Sequence, residues 1–122
     1  MPFTPSHAVV ALPFLRTPLV PAAVAVGAMT PDLPLFLPWM PFSYQVMHTN
    51  VVVCGVVAAL LLGIWYVLVR PVMRELSPGP VARRLPDRWD RWSSRGDRRR
   101  PRLQVTWVVL SILLGVISHI VW

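Results

Sequence analysis

TNVVVCGVVAALLLGIWYVLV, residues Thr49 to Val69, decides the fold: it carries no formal charge and is as long as the stretch of about 20 residues that crosses a bilayer. The uncharged run is longer still, beginning at Leu33. Ahead of the span, Pro34, Pro38 and Pro41 alternate with Trp39, Phe42 and Tyr44. That pattern suits an irregular connection at headgroup level, where aromatic rings collect. His48 stands just before the helix, with Thr49 or Asn50 as its N-cap. Within the helix, Gly55, Ala59 and Gly63 recur every four residues and form one face of small side chains where another helix can come close. If the helix extends back to His48, that histidine projects from the same face.

Arg70-Pro71 is read as the end of this span. From Arg70 to Arg102 the chain holds eleven of its twelve arginines against Glu75, Asp87, Asp90 and Asp97, a formal charge of +7. Pro78-Gly79-Pro80, Pro86, Ser93-Ser94 and Gly96 make it a loop or an interfacial segment, with Trp89 and Trp92 resting on the headgroups. A short arginine-rich loop beside membrane spans belongs on the cytoplasmic side. Topology and solubility explain it more simply than a specific site for anionic lipid headgroups, and nucleic acid is not an expected partner.

Leu103 to Trp122 is the second span, again free of formal charge. It contains His119, and an ionisable group at membrane depth is a functional candidate. Ser111, Gly115, Ser118 and His119 share one side of the helix, a small and polar stripe suited to the interior of a bundle. The chain stops among apolar residues, as expected of a piece of a longer protein.

Composition agrees with the spans. Of 122 residues, 55% are hydrophobic and 14% charged, and the mean hydropathy is +0.56, a balance unlike that of a soluble domain this small. Every basic residue is arginine and none is lysine, which suits a GC-rich bacterial genome and a multi-pass protein of the bacterial cytoplasmic membrane. Cys54 is the single cysteine, so an intrachain disulfide and a cysteine zinc cluster are excluded; it reads as a small apolar residue of a buried helix. The N-terminus has no basic region and cleavage site of a secretory signal, so the first element is expected to be retained.

The N-terminal part reads as a helical hairpin. A helix opening at Pro5-Ser6-His7, a turn near Thr17-Pro18 and a second helix from about Pro21 bring Asp32 back level with His7, since the two climbs are of similar length. This hairpin either spans or re-enters the membrane. With the arginine loop cytoplasmic, His48 and His119 both sit about one membrane thickness from it, at the same side. If the turn with Arg16 points toward the loop, His7 and Asp32 join them. Three imidazoles and the one carboxylate outside the loop are a ligand set for zinc or another first-row divalent ion. Such an ion acidifies a water and supplies a nucleophile without a protein thiol or serine.

The blocks MPFTPSHAVVALPF at the start, GAMTPDLPLF from Gly27, His48, and SHIVW at the end resemble the bacterial membrane proteins grouped as domain of unknown function 4184. Members open with Met-Pro-Phe-Thr-x-Ser-His, carry a Gly-Ser/Ala-Met-x-Pro-Asp element and later a His-x-x-Trp-Asp motif. The group is similar in turn to small inner-membrane proteins described as metal-dependent hydrolases, with a distant likeness to zinc-dependent phospholipase C. The resemblance implies His7, Asp32, His48 and His119 as metal ligands and a phosphoester or phospholipid as substrate. The aspartate of the last motif would follow Trp122, where this sequence stops, and a chain without it is expected to be an incomplete enzyme.

The expectation is therefore an all-α integral membrane helical bundle forming a single domain. Residues 1–47 are its hairpin and interfacial connection, 48–70 a transmembrane helix, 71–102 the Arg-rich loop and 103–122 a second transmembrane helix. Two functions from different classes follow. One is a membrane-embedded metal-dependent hydrolase of unknown substrate; the other is a non-catalytic membrane protein whose arginine loop binds anionic lipid or a cytoplasmic partner. A small transporter is a weaker third, because so few spans need a homo-oligomer to enclose a path.

Overall fold

In a computed structural model, residues 4–85 and 101–121 are described. Trp89, Trp92 and Trp122, with the roles expected of them, lie outside the described residues. Among the described residues every regular element is helical, and two helices are long and apolar enough to cross a membrane.

The hairpin forms. Helix α1, Thr4–His7, passes directly into a 3₁₀ segment, Ala8–Phe14, that contains Pro13. The Thr17 hydroxyl donates to the Phe14 carbonyl at 2.8 Å and closes the turn. Val20 is extended, at φ −92° and ψ 104°, as the residue before a proline prefers. Pro21 then opens α2, Pro21–Met29, a position where its missing N–H is no loss. A 3₁₀ turn, Thr30–Asp32, and α3, Leu33–Phe36, continue it. Neither arm reaches the length of about 20 residues that a crossing takes.

The expected helix over 48–70 is corrected at both ends. His48 belongs to a separate helix, α4, Tyr44–Thr49, capped by the Ser43 hydroxyl. Asn50 breaks the chain at φ −112° and ψ 91° and caps α5, Val51–Ile64, its side chain accepting from the Val53 amide at 3.1 Å. The helical phase restarts there, so His48 does not share the face of Gly55. At the other end Arg70-Pro71 does not stop the helix. A π-helical turn, Trp65–Val69, lets the Arg70 amide reach the Trp65 carbonyl. The wider turn accommodates Pro71, which has no amide and would press its ring on the carbonyl four residues back. The chain continues as α6, Arg70–Leu76, so the apolar helix runs from Val51 to Leu76, 26 residues.

The segment expected as loop thus begins helical, and a further turn, α7, Gly79–Ala82, follows. The last helix, α8, Pro101–Val121, starts two residues earlier than Leu103. Only 17% of the most apolar window of Val51–Leu76, and 28% of that in Arg102–Val121, is buried inside the molecule. The remaining apolar surface faces outward, which distinguishes these helices from the core helices of a water-soluble domain.

Helices α2 and α8 pack most intimately. A Cβ added at Gly27 would strike the Ile112 carbonyl, and one at Gly115 would strike the Val24 carbonyl and the Ala28 amide. Small-residue contact of this kind drives helix association in lipid, where no hydrophobic effect separates helix from tail. Between these helices and α5 sits the core of Val20, Ala23, Met47, Cys54, Ala58, Leu62, Ile112 and Val116. The stripe buried on α5 is therefore Cys54, Ala58 and Leu62. The small-residue face Gly55, Ala59, Gly63, offset by one position, packs on nothing: a Cβ at Gly55 or Gly63 meets no atom within 4 Å among the described residues. On α8 the expected stripe does face inward. Ser111 is fully buried, accepts from the Val20 amide at 2.9 Å and donates to the Trp107 carbonyl at 2.6 Å.

Candidate metal centre

Four elements deliver one side chain each to the same end of the bundle. His7 ends α1, Asp32 ends the 3₁₀ turn after α2, His48 lies in the last turn of α4, and His119 in the last turn of α8. Their convergence follows from packing: the α2–α8 contact at Gly27 and Gly115 fixes Asp32 against His119, and buried Met47 anchors α4 beside them.

His119 Nε2 is 3.3 Å from Asp32 Oδ1, and His48 Nε2 is 3.7 Å from the same oxygen. The two Nε2 atoms are 3.3 Å apart. The His7 ring stacks obliquely on that of His119, with centroids 4.4 Å apart. One ligand atom each from His7, Asp32 and His119 can be chosen so that all lie within 4.8 Å of one another. The structure thus brings together all four residues singled out from the sequence, and His7, Asp32 and His119 form a group that could hold a metal ion.

Burial makes the group costly without a cation. The Asp32 side chain is 3% exposed and that of His119 7%, against 22% for His48. A carboxylate this deep needs positive charge nearby, and either a charged imidazole or a cation shared by the imidazoles supplies it. Orientation is also arranged. His48 Nδ1 lies 2.9 Å from the Tyr44 carbonyl, which can only accept, so Nδ1 carries the proton and Nε2 turns its lone pair inward. The Tyr44 ring covers the same imidazole at 3.9 Å between centroids. His119 Nδ1 is buried beside the Ala28 backbone, without a hydrogen bond of good geometry among the described residues.

Two contributors were not read from the sequence as parts of this centre. Tyr44 reads in the sequence as an interfacial aromatic, although its spacing of four from His48 is also that of a helical neighbour. Gly27 stood in the quoted GAMTPD block without a role, and its tight contact with α8 supplies one.

Over residues 1–122 the chain matches the family described as Domain of unknown function (DUF4184). The chain belongs to that family. All four centre residues lie within the matched region. No curated protein and no solved structure is detectably similar to the chain.

Proposed function

We propose that this DUF4184 chain is a membrane-embedded, metal-dependent hydrolase in which His7, Asp32, His48 and His119 hold one divalent ion, zinc being the best match. The observation that carries the reading is the spacing of the donors. Ligand atoms at the corners of a tetrahedron around zinc lie about 3.3 Å apart, given bonds of about 2.0–2.1 Å. The separations among Asp32 Oδ1, His48 Nε2 and His119 Nε2 are 3.3, 3.3 and 3.7 Å. The donor set, imidazole with one carboxylate, suits the same ion.

An ion held there supplies a polarised ester or phosphoester oxygen and an acidified water. The protein's own part is to keep three imidazoles and a carboxylate in register on four separate elements. The Tyr44 carbonyl fixes the tautomer of His48, as outer partners do for metal-binding histidines. We place the protein in the bacterial cytoplasmic membrane with the arginine segment inside, on the excess of arginine between the two apolar helices.

Elemental analysis of detergent-purified protein tests the reading, with His7→Ala and His119→Ala alongside. Near-stoichiometric zinc or manganese, lost in both variants, is the expected result and directs a screen of phosphoesters. Absence of bound metal after reconstitution with several divalent ions overturns it. In that event the four residues are a polar packing cluster, and a non-catalytic protein whose arginine segment docks on anionic lipid becomes the better reading.

A further inference from the structure

A groove of about 240 Å³ is lined by Val26, Thr30 and Leu33 on one side and Leu61, Trp65 and Val69 on the other. Its wall is apolar even at Thr30, whose hydroxyl hydrogen is committed to the Val26 carbonyl at 2.6 Å. Water would find few partners in it. Leu61, Trp65 and Val69 belong to the apolar helix Val51–Leu76, so hydrocarbon is the medium outside. A cavity of about 150 Å³ takes benzene, and this one is large enough for a longer apolar ligand. Thr30 and Leu33 flank Asp32 in the sequence, while none of the four centre residues lines the groove.

We propose that this groove binds one acyl chain of a membrane phospholipid. This lipid site stands apart from the metal-centre reading above and does not depend on it. The lining residues that select the chain are distinct from the four residues that hold the ion.

The test is photolabelling of the full chain in vesicles of phosphatidylethanolamine and phosphatidylglycerol, using a phospholipid with a diazirine at mid-chain, followed by peptide mapping. Val26→Phe and Leu61→Phe, which fill the groove, are compared with wild type, and metal content is measured on every sample. Label is expected on the peptides around Val26 to Leu33 and Leu61 to Val69, falling about tenfold in the filled variants at unchanged metal content. In the wild type, excess unlabelled phospholipid should saturate this labelling while leaving that of outward-facing Val52, Val56 and Leu60 unaffected. Equal labelling of groove and outward face, with no saturation, overturns the proposal. Bound metal without groove label overturns the acyl site alone; saturable groove label without metal overturns the hydrolase reading and leaves the acyl site standing.

Discussion

His48 Nε2 and His119 Nε2, 71 positions apart in the chain, lie 3.3 Å from each other. Asp32 Oδ1 is within 3.7 Å of both. Since the Tyr44 carbonyl takes the proton-bearing Nδ1 of His48, His48 Nε2 presents a lone pair toward its neighbour. Such a pair needs something positive between its members, either a proton on His119 or a metal ion. The two alternatives respond differently to substitution.

Asp32→Asn keeps shape and removes charge. A metal centre should then lose most of its affinity, by more than about 100-fold given that even outer-shell changes cost 10–100-fold. A cluster joined by a proton on His119 has no zinc affinity to lose, and its zinc titration should barely change. Isothermal titration with zinc separates the outcomes.

Chelation should lower the melting temperature of the purified protein, and added zinc should restore it, because an ion bound only by the folded state stabilises it by mass action. At a free concentration about 100 times Kd the gain is about 2.7 kcal/mol. His119→Ala should melt at the same temperature with and without chelator. Differential scanning fluorimetry in detergent checks both.

Gly115→Val should be damaging, since the added atoms meet the Val24 carbonyl and the Ala28 amide. Overpacking of this kind costs about 1–3 kcal/mol, and prising α8 from α2 carries His119 away from Asp32, so metal should be lost as well. Gly63→Ala is the matched control. Its new Cβ enters open space, and alanine is the better helix former by about 1 kcal/mol, so stability should hold or rise.

Ser111→Ala should destabilise by about 1–3 kcal/mol, because it strands the buried Val20 amide that now donates to the serine oxygen at 2.9 Å. Ser111 lies about two helical turns from His119, so the metal content of folded protein should be unchanged. Thermal melting and elemental analysis of the same sample test the pair of statements.

The sequence by itself determined the all-helical class, the two apolar helices and the four polar residues worth watching. Uncharged runs of about 20 residues have few folds open to them, and a handful of ionisable side chains in such a chain stand out by their desolvation cost. Pro21 at the start of α2 was equally legible, because a first-turn proline is local chemistry, whereas the cap of α5 was narrowed only to Thr49 or Asn50. The tertiary structure alone decided which small residues touch. Gly55, Ala59 and Gly63 have the better local pattern, yet Gly27 and Gly115 make the contact, since helix pairing depends on the facing surface and not on one strand of text. It likewise carried the first long helix past Pro71, through a π turn that no spacing rule announces, and restarted the helical phase between His48 and Cys54. Above all, the distances within the centre exist only because α1, the turn after α2, α4 and α8 end at one level, a consequence of close packing between elements remote in sequence.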